Sequence, residues 1–263
     1  MIATPKQTRP PGTRPEGTRD EREAAARVRD MFTRIAPRYD FLNHLLSFSL
    51  DKLWRRRTAK RFLHILRTPE ARVLDVCSGT GDLAFALDRA RSTTLGSRQT
   101  RVAPVVGSDF AEAMLVRARE KAEHASSSAT FAAADALRLP FSDASFDLVA
   151  TAFGFRNLAN YEDGLREFAR VLKRGGELGI LEFTEPGAGP LAGIFRFYFR
   201  HVLPRVGAII SGNSEAYAYL PSSVRKFPSP PELASLMEKC GFADVRIASW
   251  NFGSVILHSA RRS

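Results

Sequence analysis

The segment VLDVCSGTGDLAF, residues 73–85, is an apolar run that contains an acid and breaks into glycines before helix-forming residues resume. Gly79 and Gly81, on either side of Thr80, would let a ligand approach bare backbone where a strand turns into a helix. Gly79-Thr80-Gly81-Asp82-Leu83-Ala84 satisfies the dinucleotide pattern G-x-G-x-x-A, whereas no G-K-[ST] follows at the spacing of a Walker-type phosphate loop. Asp75 lies inside the strand and close to the turn, where a carboxylate repels pyrophosphate and favours a ligand with positive charge. Asp109 ends VVGSDF, where a ribose diol can donate two hydrogen bonds to it. Asp135 and Ala136 follow a further apolar run in FAAADALRLPF, so that an acid and an adjacent backbone N–H can meet an adenine edge.

These positions supply several carboxylates and no phosphate partner. S-adenosylmethionine suits that inventory, because it carries an amino-acid end, a ribose and a sulfonium cation but no phosphate. A nicotinamide dinucleotide accounts for the glycines and not for Asp75. A third account has the acids serving only as caps of helices and turns. With the four segments in order, including FDLVATAFGFRN at 146–157, the chain resembles class I S-adenosylmethionine-dependent methyltransferases.

The elements that must position these residues follow from periodicity. From residue 72, short apolar runs alternate with helical stretches: strands at 72–77, 102–108, 129–133, 145–152 and 177–183, helices at 82–91, 111–124 and 161–173. Alternation of this kind predicts right-handed crossovers and an α/β, Rossmann-like fold with a mostly parallel sheet, helices on both faces and the ligand beyond the strands' carboxyl ends. A helix holding Leu233, Leu236 and Met237, a stop at Gly241 and strands at 244–250 and 252–259 complete the domain, the last strand antiparallel. The methyltransferase domain is expected over 68–263, with a lid or substrate insertion at about 187–228, and STTLGSRQTR at 92–101 as a surface insertion. Before it, residues 1–20 are too poor in apolar side chains to repay ordering and are expected to be a disordered basic tail. Residues 21–67 form an N-terminal helical extension, with Val28, Met31, Phe32 and Ile35 on one side before Pro37, then one or two amphipathic helices over 41–66.

Two longer segments, YDFLNHLLSFSLDKLW at 39–54 and RVLKRGGELGILEFTEP at 170–186, resemble the signature segments of the ubiquinone/menaquinone biosynthesis C-methyltransferase family. FGFRN at 153–157, YAYLPSSVRKFPSPPEL at 217–233 and NFGSVILH at 251–258 are similar to that family as well, so the resemblance covers about residues 25–259. It implies methyl transfer from S-adenosylmethionine to a ring carbon of a prenylated quinol, either demethylmenaquinol or a polyprenyl benzoquinol. It also implies Thr80, Asp109, Asp135 and Ala136 around the cofactor, with Gly79 and Gly81 shaping the turn. Three positions depart from the family pattern: Asp51 stands where a His is usual, Leu42 where Met is frequent, and Ala152 where a small hydroxyl residue is common.

For such an acceptor, loss of a phenolic proton, with a pKa near the roughly 10 of Tyr, pushes electron density onto the ortho carbon, and no metal is required. Arg156 and Asn157, at the end of the fourth strand, are the candidates for orienting the quinol oxygen and a proton-accepting water. Arg156 would stabilise the phenolate, since Arg is not a base at neutral pH. Tyr39 would complete that pocket. His44 and His201 are candidate bases, each also explicable as an amphipathic-helix residue. An RNA or protein methyltransferase on the same fold would instead be expected to show an aromatic-proline clamp where FGFRN stands, so nucleic acid is not expected as a partner. A noncatalytic lipid-binding subunit would bind the cofactor without turnover.

The composition, 44% hydrophobic and 25% charged, is that of a globular protein and excludes a fibrous or wholly disordered chain. Two cysteines, Cys77 and Cys240, are too few and too far apart for a disulfide framework and fit a reducing cytosol. The net charge of +11 is concentrated at the start, where residues 1–67 hold sixteen Lys and Arg against seven Asp and Glu. A basic end suits an anionic membrane surface, with a solvated Arg-rich tail as the alternative. No run reaches the roughly 18 apolar residues of a spanning helix, and the start lacks the apolar centre of a secretion signal. A cytoplasmic location is expected, with peripheral contact at the inner face of the cell membrane compatible with it. Oligomeric state, a homo-oligomer included, stays open.

Overall fold

The computed structural model describes residues 12–96, 102–185, 193, 197 and 214–263. Its centre is a seven-stranded sheet in the order β3-β2-β1-β4-β5-β7-β6, built from β1 (Val73–Val76), β2 (Val105–Asp109), β3 (Thr130–Ala133), β4 (Phe146–Ala152), β5 (Leu172–Phe183), β6 (Phe242–Trp250) and β7 (Val255–Arg262). The first five strands run parallel, and β7 is antiparallel to both β5 and β6. Strand order reverses between β1 and β4, which opens a crevice at their carboxyl ends. All four residues of β1 are buried, as expected for a central strand covered on both faces.

Helices whose full extent falls among the described residues are α1 (Glu21–Ile35), α2 (Tyr39–Leu46), α3 (Leu50–Arg61), α4 (Leu63–Leu66), α5 (Asp82–Leu95), α6 (Glu112–Ala125), α7 (Tyr161–Val171), α8 (Ser214–Lys226) and α9 (Pro230–Lys239). On one face of the sheet Phe62, Leu66, Leu83 and Leu87 pack on Leu148; on the other Phe155, Leu165, Phe168 and Leu233 pack on Leu74 and Leu178. Capping fixes where helices start. Asp20 accepts from the Glu23 N–H at 2.8 Å, Asn160 accepts from Glu162 and Asp163, and Ser229 with Glu232 forms a capping box. After α1 the chain makes one 3-10 turn, Ala36–Arg38, and resumes as α2, so Pro37 redirects the helical run at its first turn.

Several boundaries differ from those expected. The second strand starts at Val105 rather than 102, because Pro104 has no N–H for a ladder. The fifth begins early, at Leu172, with a register shift opposite Phe146/Leu148 next to Gly175, whose φ is +74°. The last strand starts at Val255, since Asn251–Gly253 form a 3-10 turn in which Phe252 is left-handed.

Residues 12–20, expected to be disordered, are ordered instead. The Thr13 N–H donates to Leu158 O at 2.7 Å, Arg14 reaches Ala159 O, and Thr13 is buried. A Cβ on Gly12 would lie 2.0 Å from Ala159 O, so only glycine permits this approach. Composition misled because main-chain hydrogen bonds, not apolar area, hold this strap. Of the insertion expected at 92–101, residues 92–95 continue α5, while residues 1–11, 97–101 and most of the 187–228 insertion lie outside the described residues; α8 is the longest part of that insertion that is described.

Candidate functional site

The tip of β1 is tied to its neighbours by backbone. Ser78 donates to Ser108 O at 2.9 Å, and the Gly81 N–H closes a turn onto Ser78 O at 2.9 Å. Asp109 accepts from the Gly79 N–H through Oδ2 and the Ala111 N–H through Oδ1, both at 2.9 Å. Burial outweighs these donors and pushes its pKa up to about 6. Gly79 and Gly81 are both left-handed, at φ +53° and +86°, for different reasons. A Cβ on Gly81 would lie 2.8 Å from Phe131 Cζ, whereas one on Gly79 would meet nothing nearer than Tyr39 Cε1 at 3.9 Å, which keeps that backbone open. Asp75 Oδ2 accepts from the Ala84 N–H at 2.9 Å, in the first turn of α5, while Oδ1 is buried with no hydrogen-bond partner among the described residues. Burial drives the Asp75 pKa well above the carboxylate range, although the Ala84 N–H and Arg55 pull the other way. Asp135 is exposed and caps its own turn by accepting from Leu137 N–H at 2.9 Å, beside buried Ala136.

The N-terminal helices lie over this turn. Thr80 Oγ1 donates to Asp40 of α2, and Lys121 of α6 reaches Asp40 at 2.8 Å, Asp82 at 2.6 Å and Thr80 at 3.2 Å. Arg55 of α3 pairs with Asp51 and lies 3.7 Å from Asp82. Burial opposes the charge of Asp82, yet Arg55 and Lys121 hold its carboxyl below the ordinary range. Asp51 also accepts from Ser47 at 2.7 Å and pairs with His44 at 2.9 Å. Tyr39 is partly buried with Arg156 and Arg55 nearby; desolvation nevertheless raises its pKa.

Together these elements enclose a crevice with about 880 Å³ of atom-free space, partly open to solvent. Asp75, Gly79, Thr80, Asp109, Asp135 and Ala136 line it, as do Tyr39 and Asn157. Gly81 shapes the turn from behind. Arg156 does not line the crevice. Its Nη1 donates to Glu182 at 2.8 Å and to Phe153 O at 2.5 Å, and Glu182 also accepts from the Arg156 and Phe183 N–H groups. Nη1 is held by this buried ion pair while Nε is buried with no partner among the described residues, so Arg156 sits behind the wall rather than on it, where a direct contact with the acceptor was expected. Asn157 is held by Tyr219, which donates to Oδ1 at 3.1 Å and is bonded in turn to Thr13 at 2.8 Å. His44 is engaged by Asp51, and His201 lies outside the described residues.

The family model described as the ubiE/COQ5 methyltransferase family matches residues 19–262. The chain belongs to that family. A demethylmenaquinone methyltransferase of Deinococcus radiodurans is 48% identical over 89% of this chain and 92% of its own length. A ubiquinone/menaquinone biosynthesis C-methyltransferase of Geobacter sulfurreducens is 41% identical over 91% of this chain and 90% of its own. Among solved structures, a SAM-dependent methyltransferase of Thermotoga maritima shares the fold at a TM-score of 0.60 and 18% identity, covering 90% of this chain and all of that one. The methyltransferase is therefore an S-adenosylmethionine-dependent enzyme of class I architecture.

The crevice of the methyltransferase fits that cofactor: an orphaned buried carboxylate oxygen on Asp75, an open main chain at Gly79 and a carboxylate at Asp109 with lone pairs to spare. Sequence reasoning missed Arg55, Asp82 and Phe153, which line the crevice, and Asp40 and Lys121, which lock the roof to the turn. Asp40 sits in the quoted YDFLN and Asp82 directly after Gly81, so position pointed to both; nothing in the sequence singled out Arg55 or Lys121.

Proposed function

We propose that the methyltransferase converts demethylmenaquinol to menaquinol by C-methylation of the prenylated naphthoquinol ring. The observation that carries this is the 48% identity, over nearly the whole chain, to a demethylmenaquinone methyltransferase. Methylation of a polyprenyl methoxy-benzoquinol is the second reading, supported by the relative at 41% whose name covers both quinones.

S-adenosylmethionine supplies an electrophilic methyl group on a sulfonium. The chain's own residues do the rest. Asp75, with Oδ1 available, would face the cationic end; Asp109 would accept from the ribose hydroxyls; Asp135 and the Ala136 N–H would border the adenine; Gly79, Thr80 and Gly81 carry the turn. Asn157, its Oδ1 taken by Tyr219, presents its amide N–H groups to the acceptor oxygen. Arg55, over the Phe153 ring at 5.4 Å, supplies the positive charge that favours a quinolate. Tyr39 completes that pocket. Arg156 acts from behind the wall, fixing the 3-10 turn that carries Asn157. The quinol loses its phenolic proton to water, the ortho carbon takes the methyl group as the methyl–sulfur bond breaks and leaves the neutral thioether S-adenosylhomocysteine, and the ring C–H proton then leaves to restore aromaticity. Much of the rate comes from holding the partners at near-attack distance in a dry crevice.

A prenylated acceptor favours peripheral contact with the inner face of the cell membrane. Among the described residues no helix is long and apolar enough to cross a bilayer. The test is turnover of reduced, short-chain demethylmenaquinone and methoxy-benzoquinone analogues, with products identified by mass spectrometry. Methylation of the naphthoquinol at higher kcat/KM is expected; methylation of neither ring defeats the proposal.

A further inference from the structure

The corner joining α2 to α3 has its amphipathicity turned inside out. The polar side chains His44, Ser47, Asp51 and Arg55 bond to one another beneath it, and Asp51 and Arg55 are buried. The outer side instead carries Phe41, Leu45, Phe48, Leu50 and Leu53, with Phe41 61% and Phe48 75% exposed. The arrangement is held despite a cost in backbone conformation. Phe48 and Ser49 are consecutive left-handed residues without being glycine, closed by Ser47 N–H to Asn43 O at 2.9 Å and Ser49 N–H to His44 O at 2.7 Å. A corner facing water would show the reverse distribution.

Charge identifies what covers it. Lys52, Arg56, Arg57 and Lys60 are exposed on α3, while Asp40 and Asp51, the two acids between residues 39 and 61, are both turned inward to Lys121 and Arg55. An apolar tip flanked by cations with no exposed acid is complementary to an anionic lipid surface. A second copy of the chain is disfavoured, because a two-fold contact would bring the same cations together.

We infer that the α2–α3 corner is the surface through which this enzyme docks on an anionic bilayer, with Phe41 and Phe48 entering the headgroup–acyl boundary. The same helix that enters the lipid carries Tyr39 into the crevice, so a tailed acceptor presents its ring beneath α2 while its tail stays in the bilayer. This last step rests on the quinol reading; docking itself does not.

The test is co-flotation of the full chain with vesicles of phosphatidylcholine, with and without phosphatidylglycerol. Wild type is expected to bind the anionic vesicles. Phe41→Ser/Phe48→Ser lowers partitioning at least ~10-fold on both compositions, whereas Lys52→Glu/Arg56→Glu lowers it ~10-fold on anionic vesicles only. Neither pair lines the crevice, so melting temperature and turnover of a water-soluble quinol analogue stay at wild-type level. Three outcomes overturn the inference: wild type binding neither vesicle; both variants binding as wild type does, which places any docking elsewhere; or the Phe pair converting a lipid-free dimer to monomer, which makes the face a contact between copies. Docking without methylation of any quinol leaves this inference standing and removes the acceptor reading instead.

Discussion

At the tip of β1 the crevice wall is fixed by main-chain donors: Asp109 is held by the Gly79 and Ala111 N–H groups and Asp75 by that of Ala84. The acceptor wall and the roof are fixed by side chains instead, Arg156 on Glu182, Arg55 on Asp51, and Lys121 bridging Asp40 and Asp82. A backbone-held wall has one geometry whatever its side chains do. A wall held by ion pairs can loosen at a single link, which suits the half that must admit a bulky acceptor. The comparison predicts that damage to either half stays local in binding.

The largest effect is expected at Asp109→Ala. Two main-chain N–H groups lose their acceptor, at about 1–3 kcal/mol each, and S-adenosylhomocysteine affinity drops about 100-fold or more by calorimetry. Glu182→Ala tests the other half. It strands the buried Arg156 charge and is expected to lower stability by about 3–5 kcal/mol in denaturant unfolding, while cofactor affinity moves less than about threefold. Loss of cofactor affinity in parallel with stability would break the comparison.

Protonation gives the next effect. The Asp109 pKa of about 6 in the ligand-free fold lies above its ordinary 3.8, so this group's stabilising contribution is complete below about pH 4 and is lost as pH rises through 6, by roughly 3 kcal/mol. Ligand binding has the opposite sign. Ribose hydroxyls donate to the ionised carboxylate and lower its pKa, so affinity for S-adenosylhomocysteine rises up to about tenfold per pH unit below 6 and levels off above. Asp75, raised in the same direction, adds to both trends. A flat affinity between pH 5 and 7 removes Asp109 from ribose recognition.

The same division explains what the sequence disclosed. The parallel sheet, the glycine turn and Asp75, Asp109 and Asp135 were legible because strands impose a short period and the turn demands glycine locally. Arg156 stands at the expected strand end but behind the crevice wall rather than on it. Whether a side chain at a strand end faces the crevice or turns back depends on a partner, Glu182, twenty-six residues away. Lys121 and Arg55 were invisible for the same reason: a Lys in α6 and an Arg in a basic helix read as solvent-facing until the fold brings Asp40 and Asp82 to them. The strap at Gly12–Thr13 was missed because main-chain bonding leaves no compositional trace.

The smallest effect is the most specific to the roof. Thr80 donates to Asp40, so a double-mutant cycle of Asp40→Asn and Thr80→Val measures how tightly α2 is coupled to the glycine turn. A coupling of about 0.5–1 kcal/mol is expected, small because Lys121 and Asp40 are part exposed and Lys121 keeps Asp82 when Asp40 is neutralised. Its distribution matters more than its size. If the link holds the roof down over the acceptor, Asp40→Asn raises the KM for the quinol about three- to tenfold and leaves cofactor affinity within about twofold. Equal loss for both ligands would mean that the roof belongs to the cofactor wall, and that side-chain and main-chain support do not separate the two halves.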